Sequence, residues 1–360
     1  VPIHFIRFED VCFSYPNSEK EVLHDANFEI DLSQSTAIVG ENGSGKTTII
    51  KLLCGFYRPT KGRIMIDDHD LNELSSQEIG KLIKVVFQDF YQYELTIREN
   101  IAFGNLCELK HDDKLEEALE LVNLKAVKNI GLDKPLGKLE KGGIDLSKGQ
   151  WQRLAVSRLF LTDTTYTILD EPTAGLDPKG RDDILDQIAE LHKVRGITII
   201  LVSHSMEDIA KYAERLIVVN DGEIAYDDAP KAVFAHYREL EAMGLAAPQI
   251  TYIMHALKEK GLDVDVTATT VDEAKENILA VLRKCNLGKL SGNRQSVSDS
   301  QSKKENAKAE TLISEMEADL TKDGTKESHS DVPDEDLSIQ KETMDKKSAE
   351  QEENEGGQEV

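Results

Sequence analysis

The stretch TAIVGENGSGKTTIIKLL, residues 36–53, runs from an apolar segment through a glycine-rich turn into a helical pattern. Its centre fits the spacing G-x-x-x-x-G-K-(S/T), which binds phosphate when it lies between a strand and a helix. Glycines allow backbone N–H groups to turn inward around phosphate oxygens, and the first helical turn adds a positive dipole end. The stretch therefore predicts a phosphate-binding loop. A glycine-rich turn without a ligand is the alternative, and the flanking strand and helix disfavour it.

The phosphate-binding loop, or P-loop, is expected to hold a nucleotide and its metal ion. Lys46 would contact the β- and γ-phosphates, and the Thr47 hydroxyl would bind Mg²⁺. The glycine order is not G-x-G-x-x-G, so a dinucleotide-binding Rossmann site is not predicted. The predicted nucleotide-binding residues of the loop are Gly40, Glu41, Asn42, Gly43, Ser44, Gly45, Lys46, Thr47 and Thr48.

Two neighbouring acids, Asp170 and Glu171, follow the apolar run TYTILD (165–170). Adjacent carboxylates repel each other and lose hydration, so a cation or a proton donor must offset their charge. In P-loop NTPases a second strand ends on an Asp that holds Mg²⁺, and Asp170 fits this role. Glu171 would then activate the attacking water as a general base. A solvated strand end is the alternative for this pair taken alone.

Apolar runs alternate with helical patterns, which predicts an α/β fold with a mainly parallel sheet. The runs are residues 36–40, 84–88, 165–170 and 197–204. The helical patterns are Lys46–Phe56, Gln150–Leu161 and Arg181–Leu191, with Phe56 on the apolar face of the first. The opening segments IRFEDVCFSYP and ANFEIDLS alternate in polarity instead, which predicts antiparallel N-terminal strands.

Charge and cysteine content narrow the class of protein. The formal net charge of -24 disfavours nucleic acid as a partner, because nucleic-acid binders carry clustered Lys and Arg. Residues 291–360 contain 19 Asp and Glu against 9 Lys and Arg and no Phe, Trp or Tyr, which predicts a disordered acidic tail. No apolar run reaches the ~18 residues of a membrane helix. The four cysteines lie far apart, which is not the pattern of a disulfide framework, so a protein of a reducing compartment is expected.

Further motifs resemble those of ATP-binding-cassette (ABC) ATPases. DLSKGQWQRLA (145–155) resembles the signature sequence of that family, and AGLD (174–177) resembles its D-loop. Gln88 resembles the Q-loop glutamine, His204 the switch histidine, and Tyr15 the aromatic residue that stacks on adenine. The motifs stand in the family's order. The resemblance implies a P-loop NTPase (RecA-like) core that hydrolyses ATP with Mg²⁺.

The resemblance also implies roles for individual residues. Catalytic roles fall on Lys46, Gln88, Glu171 and His204. The ligands of Mg²⁺ would be Thr47, Gln88 and Asp170. A last group would face a second subunit and the γ-phosphate bound there: Ser147, Lys148, Gly149, Gln150 and the D-loop residue Asp177. Lys148 stands where the family usually has Gly, which puts a close approach of backbone to phosphate in question.

Three segments are expected along the chain. An ABC ATPase domain would occupy residues 1–240, with an inserted α-helical subdomain at about 90–160. A small helical extension of the dimerisation type would follow at 241–290, with amphipathic helices at 248–260 and 271–285. The disordered acidic tail would complete the chain.

The two halves of the chain resemble different branches of the family. The N-terminal half, with FQDFYQYELTIRENIAFGN (87–105), resembles the nucleotide-binding domains of ABC exporters. The C-terminal half, at residues 197–234 and 245–279, resembles the ATPases of energy-coupling factor (ECF) transporters, which take up vitamins or metal ions. One hypothesis is a fusion of two genes within LDEPTAGLDP (169–178).

The expected function is that of an ATPase subunit that energises a membrane transporter from the cytoplasmic face of the cell membrane, with ECF-type uptake as the first interpretation. Its partners would be a second ABC ATPase subunit, in a homo- or heterodimer, and a transmembrane transporter subunit. An ABC exporter domain truncated at its N-terminus is the alternative within transport. A soluble non-transport ABC ATPase is disfavoured because the sequence carries neither two cassettes nor a long coiled-coil insertion. A non-hydrolysing regulator is disfavoured because Glu171 and His204 are both present.

Overall fold

The computed structural model describes residues 3–138, 142–161 and 164–292, and its strands form two sheets. The strands, in chain order, are β1 (Phe5–Ser14), β2 (Glu21–Asp31), β3 (Thr36–Val39), β4 (Lys61–Ile66), β5 (His69–Asp70), β6 (Ile83–Val86), β7 (Tyr166–Asp170), β8 (Thr198–Val202), β9 (Arg215–Asn220) and β10 (Glu223–Asp228). The smaller sheet has the order β2-β1-β4-β5, and its neighbouring strands are antiparallel. The predicted antiparallel N-terminal strands are confirmed. Residues 293–360, which contain almost all of the predicted acidic tail, lie outside the described residues.

The larger sheet has the order β10-β9-β3-β8-β7-β6 and is parallel except for its edge strand β10. This confirms the predicted α/β fold with a mainly parallel sheet. The strands β3, β7 and β8 are buried along their whole length, which is typical of strands covered by helices on both faces. The parallel strands end at the same edge, so the loops that follow β3, β6, β7 and β8 are brought together there.

The helices, in chain order, are α1 (Lys46–Leu53), α2 (Ser76–Leu82), α3 (Ile97–Ala102), α4 (Asp112–Leu121), α5 (Lys125–Lys128), α6 (Lys148–Ser157), α7 (Pro178–Arg195), α8 (Met206–Tyr212), α9 (Pro230–Phe234), α10 (Tyr237–Ala242), α11 (Gln249–Glu259) and α12 (Val271–Gly292). Helices α3 to α6 fall within the segment for which an inserted helical subdomain is predicted. The boundaries of that subdomain and of the other segments stay predictions. Among the described helices, none combines the length and the apolar character needed to cross a membrane.

The two faces of the larger sheet belong to different hydrophobic cores. On one face, Ile168 and Ile200 share a core with Ile49 of α1. On the other face, Leu169 shares a core with Ile184 of α7. Residues 199–202 of β8 alternate between the two cores, as the pleat of a strand requires. Each such fully buried side chain contributes on the order of 1.5–3 kcal/mol, so α1 is held firmly against the sheet that carries the P-loop.

The first helix is shorter than its sequence pattern suggests. Helix α1 ends at Leu53, Gly55 adopts a left-handed φ of 67°, and Phe56 is 63% exposed. The prediction of a helix to Phe56 with this ring on the apolar face is therefore wrong. A glycine in the left-handed conformation ends a helix, because its backbone turns the chain away from the helical path.

Helix α6 begins earlier than predicted and ends in a tighter turn. Ser147 is its N-cap: the Ser147 hydroxyl accepts a hydrogen bond from the Gln150 N–H at 3.3 Å. The Gln150 side-chain oxygen in turn accepts from the Ser147 N–H at 2.9 Å, which completes a capping box. The residues Arg158–Leu161, predicted as α-helix, form a 3₁₀ turn.

Candidate functional site

The loops after β3, β6, β7 and β8 contribute to a cavity of about 260 Å³ at the carboxyl edge of the larger sheet. The cavity brings together most of the residues predicted to bind nucleotide, metal or water. Val22 and Val202 also line it, and no sequence pattern pointed to them. The remaining lining residues are Tyr15, Asn42, Gly43, Gly45, Lys46, Thr47, Thr48, Gln88, Asp170, Glu171 and His204.

Two glycines give the P-loop its shape. Gly45 is the N-cap of α1 and has a left-handed φ of 116°, and a Cβ at this position would lie 2.8 Å from Leu23 Cδ2. A Cβ on Gly40 would collide with the carbonyl oxygen of Val219. A side chain at either position would push the loop away from the strands beneath it. Glycine is thus required by packing as well as by backbone conformation.

Lys46 is nearly buried, with 8% of its surface exposed. Its ammonium donates hydrogen bonds to the carbonyl oxygens of Gly40, at 2.6 Å, and Glu41, at 2.9 Å. Burial lowers the pKa of Lys46, while the nearby Glu171 and Asp170 raise it. An ammonium carries three donor protons and these bonds use two of them, so a phosphate oxygen can accept the third.

The two acids at the end of β7 are both largely buried. Asp170 is 9% exposed, and burial raises its pKa. Burial and, to a lesser extent, the charge of Asp170 raise the pKa of Glu171 to about 7. The Glu171 Oε1 atom is buried and has no hydrogen-bond partner among the described residues. A carboxylate with a buried oxygen free of protein donors can accept a proton from a water molecule.

His204 follows β8 and faces Glu171. Its Nε2 atom lies 3.7 Å from Glu171 Oε1, and its side chain is 50% exposed. Burial lowers the pKa of His204, which favours the neutral imidazole. A neutral imidazole donates one hydrogen bond and accepts another, which suits the predicted contact with a phosphate oxygen.

The oxygen ligands predicted for Mg²⁺ line the same cavity. They are the Asp170 carboxylate, the Thr47 hydroxyl and the Gln88 amide. Mg²⁺ takes one or two carboxylates and completes its shell with water and phosphate oxygens, so this donor set fits the ion. The described part of the chain contains no cluster of three or more His, Cys, Asp or Glu residues able to hold a metal. Since phosphate oxygens would complete the shell of Mg²⁺, the ion is expected to bind together with a nucleotide.

Tyr15 is held at the P-loop by aromatic neighbours. Its ring packs edge to face on Phe13 and Tyr57, with centroid distances of 5.0 and 5.3 Å. Its hydroxyl lies 3.0 Å from Thr48 Oγ1, and Lys51 Nζ lies 5.3 Å from the ring centroid. These contacts fix the ring beside the phosphate cradle, where stacking on a purine base would require it.

The signature and D-loop residues do not line this cavity. Lys148 and Gly149 start α6 and lie against the D-loop of the same chain. A Cβ on Gly175 would be 3.7 Å from the Lys148 side chain, and a Cβ on Gly149 would be 3.2 Å from Leu176 Cδ2. Lys148 is exposed at this position. That these residues meet the nucleotide of a second subunit stays a prediction.

The P-loop also touches the loop between α10 and α11, a contact that no sequence pattern indicated. The carboxylate of Glu41 lies directly beside Gly244, whose φ is 74°, so a Cβ on Gly244 would collide with it. Nearby, the N–H of Gln249 at the start of α11 donates to the Glu207 carboxylate on α8 at 3.3 Å. The C-terminal helices are thus linked to two segments that border the cavity.

We expect Gly244→Ala to weaken ATP binding. The added methyl group collides with Glu41 of the P-loop, and an L-residue in this left-handed conformation costs roughly 1–2 kcal/mol in addition. Gly261→Ala is the matched control, because Gly261 has a φ of 89° and nothing lies within 4 Å of its Cβ position. Both variants should melt at lower temperature, and only Gly244→Ala should raise the Kd for ATP in calorimetric titration. An equal Kd in the two variants would contradict the role given to the contact.

Comparison with known proteins gives consistent results. A family model described as ABC transporter matches residues 23–174. The energy-coupling factor transporter ATP-binding protein EcfA2 of Clostridium tetani (strain Massachusetts / E88) is 42% identical over 287 residues, which cover 77% of this chain and 96% of that protein. EcfA2 of Clostridium perfringens (strain 13 / Type A) is 41% identical over 276 residues, covering 74% and 94%. A bacterial Atm1-family ABC exporter solved with ATP bound has a TM-score of 0.61 and 28% identity, covering 68% of this chain and 42% of the exporter chain.

The fold and the P-loop cavity define an ATPase of the P-loop NTPase class, and the comparisons specify its kind. The chain belongs to the ABC transporter family, in the branch of energy-coupling factor transporter ATP-binding proteins. It is an ATPase whose hydrolysis of ATP is coupled to transport across a membrane. The predicted resemblances to ECF ATPases and to ABC exporter domains are both confirmed, each over more than two thirds of the chain.

The suggested gene fusion is not needed to explain these resemblances. The alignment with the Clostridium tetani protein covers 77% of the chain, so it includes residues on both sides of the stretch 169–178. A single relative therefore accounts for both halves. Long-read sequencing across this stretch would show one continuous gene or two.

Proposed function

We propose that the chain is one ATPase subunit of an ECF-type uptake transporter, bound to the cytoplasmic face of the cell membrane. The support is that the relatives it matches over almost their whole length are named as ATP-binding proteins of such transporters. Vitamins or metal ions are the proposed class of cargo. A nucleotide-binding domain of an exporter is the second candidate, favoured by the similarity to the Atm1-family structure.

The observation that carries the proposed chemistry is the placement of Lys46, Asp170, Glu171 and His204 around one cavity. ATP would lie with its β- and γ-phosphates on the P-loop N–H groups and Lys46, and with its base on Tyr15. Glu171 would take a proton from a water molecule whose oxygen attacks the γ-phosphorus. A raised pKa suits this role, because a general base works best with a pKa near the operating pH. His204 would donate a hydrogen bond to the γ-phosphate.

Mg²⁺, held by Thr47, Gln88 and Asp170, would supply positive charge that offsets the charge of the phosphates. The protein residues determine where the phosphates lie relative to Glu171. Lys46, the N-terminus of α1 and His204 would position them, since all three lie at this cavity. ADP and phosphate are the products.

The second half of the proposed active site comes from another ABC ATPase subunit, in a homo- or heterodimer. Ser147 caps α6, so the N–H groups of Gly149 and the residues around it lie at the positive end of that helix. This end would face the γ-phosphate bound by the partner. The exposed ammonium of Lys148 would add a further positive charge to the same surface.

A groove beside Gln88 is the proposed docking surface for a helix of the transmembrane subunit. It is a cavity of about 520 Å³ between the segment after β6 and α6. Tyr91 is 71% exposed and Phe103 41% exposed, so aromatic surface is open to solvent. The Arg158 guanidinium lies 5.5 Å from the Tyr93 ring centroid. Exposed aromatic surface around a groove is typical of a site that binds a helix of another protein.

Tyr91→Asp tests whether this groove binds the transmembrane subunit. The substitution places a charge in the groove at an exposed side chain that contacts the Tyr93 ring at its surface, so folding and basal ATPase activity should be retained. Val194→Asp is the matched control, because Val194 is also 71% exposed and lies outside the groove. Affinity purification from detergent-solubilised membranes should recover an integral membrane protein with the wild type and with Val194→Asp, and not with Tyr91→Asp.

The identity of the captured protein separates the two candidates. A membrane protein without its own ATPase domain supports the uptake transporter, because exporter domains of this type often share one polypeptide with their membrane domain. Capture that is equal with Tyr91→Asp would contradict the groove as the docking surface. Recovery of no membrane protein with any variant would contradict the transporter assignment.

A further inference from the structure

A buried glutamine of α6 contacts the backbone of the segment that carries Glu171. Gln152 is 1% exposed, and its side-chain amide donates to the carbonyl oxygen of Pro172 at 2.9 Å and to that of Glu171 at 3.3 Å. Donor and acceptors are 19 and 20 residues apart in the chain, so these are tertiary contacts. No role in nucleotide or metal binding has been assigned to Gln152, which does not line the nucleotide cavity.

The backbone that Gln152 holds is unusual. Glu171 has a φ of 48°, in the left-handed region that residues other than glycine rarely adopt. Such conformations persist only where the surroundings fix them. The Glu171 N–H donates to the Val202 carbonyl at 2.9 Å, and the Ala174 N–H donates to the Glu171 carbonyl at 3.2 Å. The Gln152 amide bridges the Glu171 and Pro172 carbonyls, and so fixes the peptide unit that follows Glu171.

The same helix begins with the signature residues. Lys148 and Gly149, at the start of α6, lie against Gly175 and Leu176 of the D-loop. Gln152 lies one helical turn further on and contacts Glu171 and Pro172, just before that loop. A shift of α6 would therefore move the carbonyls on either side of Pro172 and, with them, the orientation of the Glu171 side chain.

We propose that Gln152 is a positioning residue that sets the backbone conformation of Glu171 and couples its carboxylate to the position of α6. The inference rests on the proposed role of Glu171 as general base. The alternative is that Gln152 is a core amide whose only role is to donate hydrogen bonds to two buried carbonyl groups. The two readings differ in what its loss changes: a core amide contributes to stability alone, whereas a positioning residue affects kcat at unchanged substrate affinity.

Gln152→Met, compared with Gln187→Met, tests the proposal. Methionine keeps the length and approximate volume of glutamine and removes both donor contacts. Gln187 is a partly buried glutamine of α7 outside the cavity, and its substitution should leave kcat unchanged. Gln152→Met should lower kcat roughly tenfold to a hundredfold, the loss expected when a reacting group is displaced by about 1 Å. The KM for ATP and the Kd for trinitrophenyl-ATP should stay at wild-type values.

Glu171→Gln, measured in parallel, distinguishes failure of this inference from failure of the proposed function. Wild-type turnover in Glu171→Gln would show that Glu171 is not the general base. An inactive Glu171→Gln together with wild-type kcat in Gln152→Met would overturn the positioning role alone, whatever the melting temperature. A Gln152→Met variant that loses affinity and kcat in proportion would also overturn it.

A second variant covers the case in which Gln152→Met does not fold. Gln152→Glu keeps the side-chain length and replaces the donor by a carboxylate that repels both carbonyls. Loss of kcat with retained trinitrophenyl-ATP binding supports the proposal, and wild-type kcat overturns it.

Discussion

Glu171→Gln should reduce ATP turnover by about 10²- to 10⁴-fold, the contribution typical of a positioned general base. The amide keeps the shape of the carboxylate and cannot take a proton from water. Binding of ATP should be retained, because the P-loop and Lys46 provide the phosphate contacts and Glu171 is not among them. With hydrolysis blocked, the ATP-bound dimer should accumulate. Turnover by phosphate release and oligomeric state by size-exclusion chromatography with ATP and Mg²⁺ measure the two effects.

The same substitution should not destabilise the fold. Burial and the neighbouring Asp170 raise the pKa of Glu171 to about 7, so the folded protein disfavours the ionised form. A neutral amide at this position avoids that cost, and the melting temperature should stay the same or rise. Glu190→Gln on α7 is a matched control, since Glu190 is exposed and lies outside the nucleotide cavity. Full ATPase activity in Glu171→Gln would exclude the general-base role.

The parts of the site that lie in continuous stretches could be predicted from the sequence. The P-loop residues 40–48 and the pair Asp170 and Glu171 each follow a buried strand, and parallel strands end at one edge of their sheet. Gln88 and His204 follow two further strands of that sheet and line the same cavity, and their roles there stay predictions. The alternation of strands and helices similarly predicted the parallel sheet.

The contacts that connect distant segments could not be predicted in this way. Gln152 has the sequence surroundings of any helical glutamine, and only the packing of α6 on the segment after β7 brings it to the Glu171 backbone. The contact between Glu41 and Gly244 likewise depends on how the C-terminal helices return to the P-loop. The error at Phe56 has a local cause: a periodic apolar pattern continued past Gly55, and the left-handed turn at that glycine outweighed it.

Lys46→Met should weaken the binding of ATP by roughly tenfold to a hundredfold, because a hydrogen bond to a charged group contributes about 1.5–3 kcal/mol and 1.4 kcal/mol corresponds to about a factor of ten. Methionine preserves the apolar part of the side chain and removes the ammonium that faces the phosphate cradle. The loss extends beyond one contact: the ammonium also holds the carbonyls of Gly40 and Glu41, at 2.6 and 2.9 Å, so the loop loses an internal support.

The measurement is calorimetric titration with ATP and Mg²⁺ in the Glu171→Gln background, where hydrolysis does not consume the ligand. Lys193→Met on the exposed face of α7 removes the same charge from the chain without touching the cavity, so its Kd should equal that of the parent. An unchanged Kd in Lys46→Met would mean that the backbone N–H groups and the α1 dipole bind the phosphates without the ammonium. A higher Kd in Lys46→Met, with an unchanged melting temperature in the absence of ATP, would show that the variant has lost contacts with the phosphates. A large fall in that temperature would instead assign Lys46 mainly to holding the loop through Gly40 and Glu41.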